Sequence, residues 1–163
     1  MKTPHYTKIH NRFKLNGYNF SADELKEIGY DYIKEGVPYE RALGLFIMDW
    51  MDKEDYVNVK TSGSTGDPKM IQISKQAMVS SAIRTGDFFN VQIGDTALHC
   101  LPADFIAGKM MLVRAMILGL SLDLVQPTSN PMKDLYKPYD FVAMTPMQAH
   151  NSLDKLNQIK TMI

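Results

Sequence analysis

Residues 61–69 read Thr-Ser-Gly-Ser-Thr-Gly-Asp-Pro-Lys, a density of small hydroxyls and glycines with one terminal cation. Successive backbone N–H groups in a tight glycine-rich loop point inward and bind anions. Gly63 and Gly66 allow positive φ and let an anion approach the backbone. Thr61, Ser62, Ser64 and Thr65 add hydroxyl donors, and Lys69 adds a mobile charge for a phosphate oxygen. Pro68 stiffens the exit. The stretch suits a polyphosphate, although a plain flexible turn uses the same residue types. Three familiar loops do not match. Gly66 is followed by Asp-Pro-Lys rather than the Gly-Lys-Ser/Thr of a P-loop, the dinucleotide G-x-G-x-x-G is missing, and the spacing is not that of a nucleophile elbow.

Other residues with chemical potential are weaker candidates. Lys109 and Arg114 interrupt an otherwise apolar run and could face an anionic substrate. Their spacing puts them about 140° apart on a helix, so one snorkelling and the other pairing locally accounts for them equally well. Thr145-Pro146 follows a predicted strand end, where open α/β sheets place ligands, and Thr145 is a substrate-side candidate. His99 and Cys100 are adjacent in a predicted strand, so they point to opposite faces and form no dyad. His5, His10 and His150 are scattered, with no metal-ligand spacing. Asp49, Asp52, Glu54 and Asp55 read as a solvated helix end, and the 12 methionines as packing residues.

The elements that must position the loop follow from pattern. Ser21 and Glu24 form a predicted capping box for a helix to about Ile33. The run 38–52 is a second helix with Leu43, Phe46, Ile47 and Trp50 on one face. Residues 56–60 and 69–74 read as strands, so the loop runs from strand to strand and a helix dipole is not expected to assist it. Ser74 caps a predicted helix over 75–89. Strands over 96–101, 121–125 and 141–144 alternate with an almost wholly apolar helix at 107–118, closed by Gly119, and a helix at 146–159. The alternation predicts an α/β fold, a mainly parallel sheet flanked by helices. The first 55 residues read as a mostly helical lead and residues 56–163 as the α/β part. The closing Lys-Thr-Met-Ile looks like the start of a further strand, so the chain is expected to be cut from a longer protein.

Totals narrow the function classes. In 163 residues, 45% are hydrophobic and Lys+Arg equals Asp+Glu at 18 each. That gives no electrostatic footprint for nucleic acid or an anionic membrane. The single cysteine, Cys100, rules out an intrachain disulfide and suits a reducing compartment. No signal-peptide apolar region and no apolar stretch of spanning length is found, so a cytoplasmic protein is expected.

The order of residues 61–69 resembles the signature of AMP-forming acyl-CoA synthetases, adenylation domains and luciferases, [ST]-[ST]-G-[ST]-[ST]-G-x-P-K, at every defined position. The similarity runs over roughly residues 56–163. It implies a partial N-terminal (large) domain of an adenylate-forming enzyme, with the rest of that domain and the C-terminal lid domain absent. It also implies an ATP-dependent ligase that makes an acyl-AMP and then a thioester. ATP, Mg²⁺ on its phosphates, and coenzyme A are the implied co-substrates, beside a small carboxylic acid. Thr61, Ser62, Gly63, Ser64, Thr65, Gly66 and Lys69 carry the phosphate role. The segment Leu101–Gly119 and the short lead are similar to the o-succinylbenzoate–CoA ligase branch of menaquinone biosynthesis. Many members have histidine where Phe105 stands, near the acyl site, which leaves the acid open: aryl, fatty or amino acids remain alternatives. Lys109 or Arg114 could then meet a dicarboxylate. The later motifs (adenine-binding glycine segment, Tyr-Gly-x-Thr-Glu, ribose-binding aspartate and catalytic lysine) do not occur, so no catalytic residue is assigned and this chain alone is expected to be inactive. A non-catalytic nucleotide-binding module is the reading from a different class.

Overall fold

Ser21 caps the first helix as its spacing predicts. Its Oγ accepts from the Glu24 amide at 3.3 Å, and the Glu24 carboxylate accepts from the Ser21 amide at 2.7 Å. In the computed structural model, which describes residues 3–60 and 69–163, that helix is α1 (Ala22–Glu35). Before it, β1 (Lys14–Leu15) and β2 (Tyr18–Asn19) form a small antiparallel pair. Asn16 (φ 50°) and Gly17 (φ 85°) sit between them, the left-handed pair that a two-residue hairpin requires. After α1 comes α2 (Pro38–Met51), with proline at its start and the Glu40 carboxylate accepting from the Val37 amide.

β3 (Tyr56–Lys60) and β4 (Met70–Ser74) pair antiparallel from Tyr56↔Ser74 to Lys60↔Met70. They make a two-stranded sheet of their own. Helix α3 (Lys75–Phe89) follows at once, capped by the Ser74 hydroxyl. Then come β5 (Thr96–His99), α4 (Ile106–Leu118), β6 (Ser121–Leu124), β7 (Tyr139–Val142), α5 (Pro146–Asn151), a 3₁₀ turn at Leu153–Gln158 and β8 (Ile159–Met162).

The main sheet has the order β2-β1-β6-β5-β7-β8, parallel except for β1–β2, which confirms the expected α/β architecture. Consecutive residues alternate between its faces. Ala97 and Phe141 join a large core with Phe46, Trp50, Val57, Val59, Met78 and Met111, while Leu98 and Val142 join a smaller cluster with Cys100, Met132 and Tyr139. Helix α4 is buried along nearly its whole length, as its composition predicts. Phe46 is fully buried, and truncating such a side chain to alanine costs about 3–5 kcal/mol.

Two local expectations change, and the strand expected at the closing residues is present. Residues 14–19 supply two short strands, and β1 hydrogen-bonds in register with β6. The predicted helix at 146–159 tightens after Asn151. There the Ser152 amide donates to the Ala149 carbonyl at 3.2 Å and the Ser152 hydroxyl bonds the Asn130 side chain at 3.1 Å, diverting the chain into a 3₁₀ turn. The closing residues pair fully as β8 beside β7, and Ile163 exchanges backbone bonds with Val142 and Met144.

Candidate functional site

The phosphate candidates of the sequence follow β3 and precede β4, which pair as a hairpin stem. Val57 and Val59 point into the core and Ile73 is half-buried, while Met70, Ile71 and Gln72 are exposed. Alternation thus anchors one face of the hairpin and leaves the other open. Thr61, Ser62, Gly63, Ser64, Thr65 and Gly66 lie outside the described residues. Lys69 lies within them. It is exposed and directly precedes Met70, which pairs with Lys60, so it stands at the loop end of the hairpin.

The base of the hairpin is tied down. Tyr56 opposes Ser74 there, and the Lys75 amide donates to the Asp55 carbonyl at 2.8 Å. The Lys75 side chain is fully buried, and its ammonium meets Asp52 Oδ1 at 2.6 Å. The acidic run read as plain solvated surface therefore contributes Asp52 to a half-buried ion pair. The sequence offered no period linking positions 52 and 75.

A second polar centre lies beyond the C-terminal end of β5, in the turn leading to α4. Phe105 occupies the N-cap position of α4, 44% exposed, and its amide donates to Pro102 O at 3.3 Å. Lys109 is buried. Its ammonium donates to Ala103 O at 2.8 Å and lies 4.8 Å from the Phe46 ring centroid. Burial pushes this ammonium down from its ordinary pKa, and the Asp49 and Asp104 carboxylates partly restore it. Gly108 closes the turn from the helix side. A Cβ there would stand 2.2 Å from the Pro102 carbonyl oxygen, so glycine alone lets helix and turn approach this closely.

His99, 4% exposed, completes the clamp: its Nε2 lies 3.0 Å from the Gly108 carbonyl. A carbonyl can only accept, so Nε2 carries a proton. Burial lowers the His99 pKa to about 4. Cys100 turns the other way, with its Sγ 3.3 Å from Ala143 O and its thiol pushed up to about 12 by burial. The two side chains diverge, as alternation predicts.

Arg114 is half-buried on α4. Its Nη1 contacts the Met111 sulfur at 3.8 Å, its Nε is buried without a hydrogen-bond partner, and burial lowers its pKa. Thr145 is exposed at the N-cap of α5. Its Oγ1 accepts from the Gln148 amide at 3.2 Å, while the Gln148 side chain reaches back to the Cys100 and Thr128 carbonyls, both at 2.9 Å. Phe105 and Thr145 thus follow the C-terminal ends of β5 and β7, which are neighbours in the sheet. Lys109 is turned into the fold and Arg114 is half-buried on the same helix. A cleft of about 450 Å³ opens nearby, lined by Val37, Tyr39, Pro102, Asp104, Gln126 and Pro127. Among the described residues, no group of three His, Cys, Asp or Glu side chains could hold a metal ion, and no helix is long and apolar enough to cross a membrane.

Comparison with known proteins places this geometry. A family model described as AMP-binding enzyme matches residues 27–152. Over 102 residues the chain is 30% identical to the D-alanine--D-alanyl carrier protein ligase of Bacillus mycoides (strain KBAB4), covering 63% of this chain and 19% of that protein. Among solved structures it resembles an acyl-CoA synthetase (AMP-forming)/AMP-acid ligase II-like protein from Dyadobacter fermentans DSM 18053. There the TM-score is 0.71 and the identity 34%, over 84% of this chain and 41% of that one. The o-succinylbenzoate CoA synthetase of Bacillus subtilis, solved with its acyl-adenylate intermediate, matches with a TM-score of 0.53 at 20% identity, over 64% of this chain and 30% of that one. At that identity the likeness shows the fold alone. The chain spans less than half the length of each of these proteins.

Proposed function

We propose that this chain, which belongs to the AMP-binding enzyme family, is the triphosphate-gripping part of an ATP-dependent ligase that joins a carboxylic acid to a thiol through an acyl-AMP. The observation that carries the reading is the Thr-Ser-Gly-Ser-Thr-Gly-Asp-Pro-Lys sequence spanning the end of an antiparallel hairpin whose stem is anchored in the core.

In the first half-reaction a carboxylate oxygen of the acid bonds to the α-phosphorus of ATP, and the bond from that phosphorus to the pyrophosphate oxygen breaks. The amides and hydroxyls of Thr61 to Gly66, with Lys69, hold the β- and γ-phosphates. They neutralise charge that grows on the leaving pyrophosphate. Mg²⁺ accompanies the phosphates. In the second half-reaction a thiolate, with coenzyme A as the proposed donor, attacks the acyl carbonyl and AMP departs. Phe105 and Thr145, beyond the ends of adjacent parallel strands, face the acid, because ligands of open α/β sheets lie outside the strand C-termini. Lys109 acts indirectly by holding the Ala103 carbonyl, and Arg114 lies further along α4 against Met111. We place the enzyme in the cytoplasm.

For the acid we propose o-succinylbenzoate, on the resemblance of Leu101–Gly119. An amino acid is the second reading, favoured by the 30% identity to a D-alanine ligase. Acid-dependent exchange of labelled pyrophosphate into ATP, run with the full-length protein against aromatic dicarboxylates, fatty acids and D- and L-amino acids, separates the two. Exchange with none of them removes the adenylation reading. Lys69→Ala should slow the first half-reaction and leave thioester formation from preformed acyl-AMP nearly unchanged. Equal losses in both steps would contradict a β/γ-phosphate role.

A further inference from the structure

A two-stranded hairpin is marginal by itself in water. β3 and β4 form such a sheet, without strand partners in the main sheet. Their pose is therefore set by one buried face and by whatever holds their base.

That base is a convergence of three segments on Lys75. The ammonium, with 0% side-chain exposure, pairs with Asp52 at 2.6 Å, and Asp52 Oδ1 also accepts from the Glu54 amide at 2.9 Å. The Lys75 amide bonds Asp55 O. The N-terminal segment closes the third side. The Tyr6 ring centroid is 5.7 Å from the ammonium, the Tyr6 amide donates to the Gln76 side chain at 3.2 Å, and Gln76 Nε2 donates to Pro4 O at 2.9 Å. Lys75 is also the first residue of α3, where the positive end of the helix dipole disfavours a cation. Helix propensity and capping do not ask for a lysine there, whereas the Asp52 carboxylate does.

We propose that Lys75 is a positioning residue. Its ion pair with Asp52 locks both feet of the β3–β4 hairpin and so fixes the direction in which the far end, about 14 Å away along five paired residues, presents its loop to a nucleotide triphosphate. The nucleotide half of this inference rests on the phosphate reading above, while the mechanical half stands on the clasp alone.

The test compares a single and a paired substitution in the full-length protein. Asp52→Asn leaves the Lys75 ammonium buried without its counter-charge and should lower Tm clearly. The paired change Asp52→Asn with Lys75→Met removes both charges and should restore Tm to near wild type. A merely structural ion pair would end there. The clasp predicts that the stable double variant still shows about tenfold faster amide hydrogen exchange at 56–60 and 70–74, with β5 and β6 unchanged. It also predicts MgATP binding weakened by about tenfold or more. Wild-type exchange rates in the hairpin overturn the proposal. Faster exchange with wild-type MgATP affinity overturns its link to the nucleotide. Wild-type protein that binds no MgATP at all overturns the phosphate reading and that link together, leaving hydrogen exchange to judge the clasp.

Discussion

Acid should unfold this protein partly through one residue, His99. Its ring is 4% exposed and donates to the Gly108 carbonyl, and burial lowers its pKa from 6.5 to about 4. The unfolded chain therefore binds a proton at His99 between about pH 6.5 and pH 4 that the native state refuses. Stability from the neutral ring is fully present above pH 6.5 and is lost as pH falls toward 4, with no further loss from this group below that. At 1.36 kcal/mol for each pKa unit, the drop from 6.5 to about 4 corresponds to ~3 kcal/mol. That is a large share of the ~5–15 kcal/mol that holds a typical domain together. His99→Gln keeps an amide donor for Gly108 O and removes the titration. Urea unfolding followed by fluorescence of the single, buried Trp50 should be run for both proteins from pH 7.5 to pH 4. Wild type should lose ~3 kcal/mol more than the variant across that range, the other titrating groups cancelling in the difference. Parallel pH profiles would show that the ring is not buried neutral in the native state, and the reasoning would fail.

Gly108→Ala replaces glycine inside a helix, which ordinarily gains about 1 kcal/mol, yet here the new Cβ meets the Pro102 carbonyl at 2.2 Å and the Ala103 amide at 2.9 Å. Overpacking of about 1–3 kcal/mol should win, lowering Tm and shifting the Phe105 turn, as thermal melts and amide chemical shifts of residues 102–105 would report. Thr145→Ala removes the hydroxyl that caps α5. It should cost about 1 kcal/mol in urea unfolding, and Thr145→Ser should recover most of that loss.

The pattern of the sequence was enough for the parallel α/β core because its elements declare themselves locally. Ser21 and Glu24 satisfy each other at one helix start, the Ser74 hydroxyl caps another, and α4 is apolar on nearly every side because it is buried along most of its length. The strands at 14–19 went unread because each is two residues long, too short for alternation to show. Asn16-Gly17 is the available signal, a dipeptide that favours a two-residue hairpin turn. The clamp of His99, Lys109 and Gly108 on the Pro102–Phe105 turn was hidden for a different reason. Lys109 looks like a stray cation on an apolar helix, and its partner is a backbone carbonyl, which carries no residue-type signature. The phosphate candidates are the reverse case, since their chemistry is written in residue order, and the structure adds the hairpin stem that carries them.

The most direct measurement is a calorimetric titration of MgATP and of AMP into the full-length protein and into its Lys69→Ala variant. A loop that holds the β- and γ-phosphates predicts that the variant loses about tenfold or more in MgATP affinity while AMP affinity stays at the wild-type value. Equal weakening for both nucleotides, or no weakening for either, would contradict the assignment of this hairpin to the triphosphate.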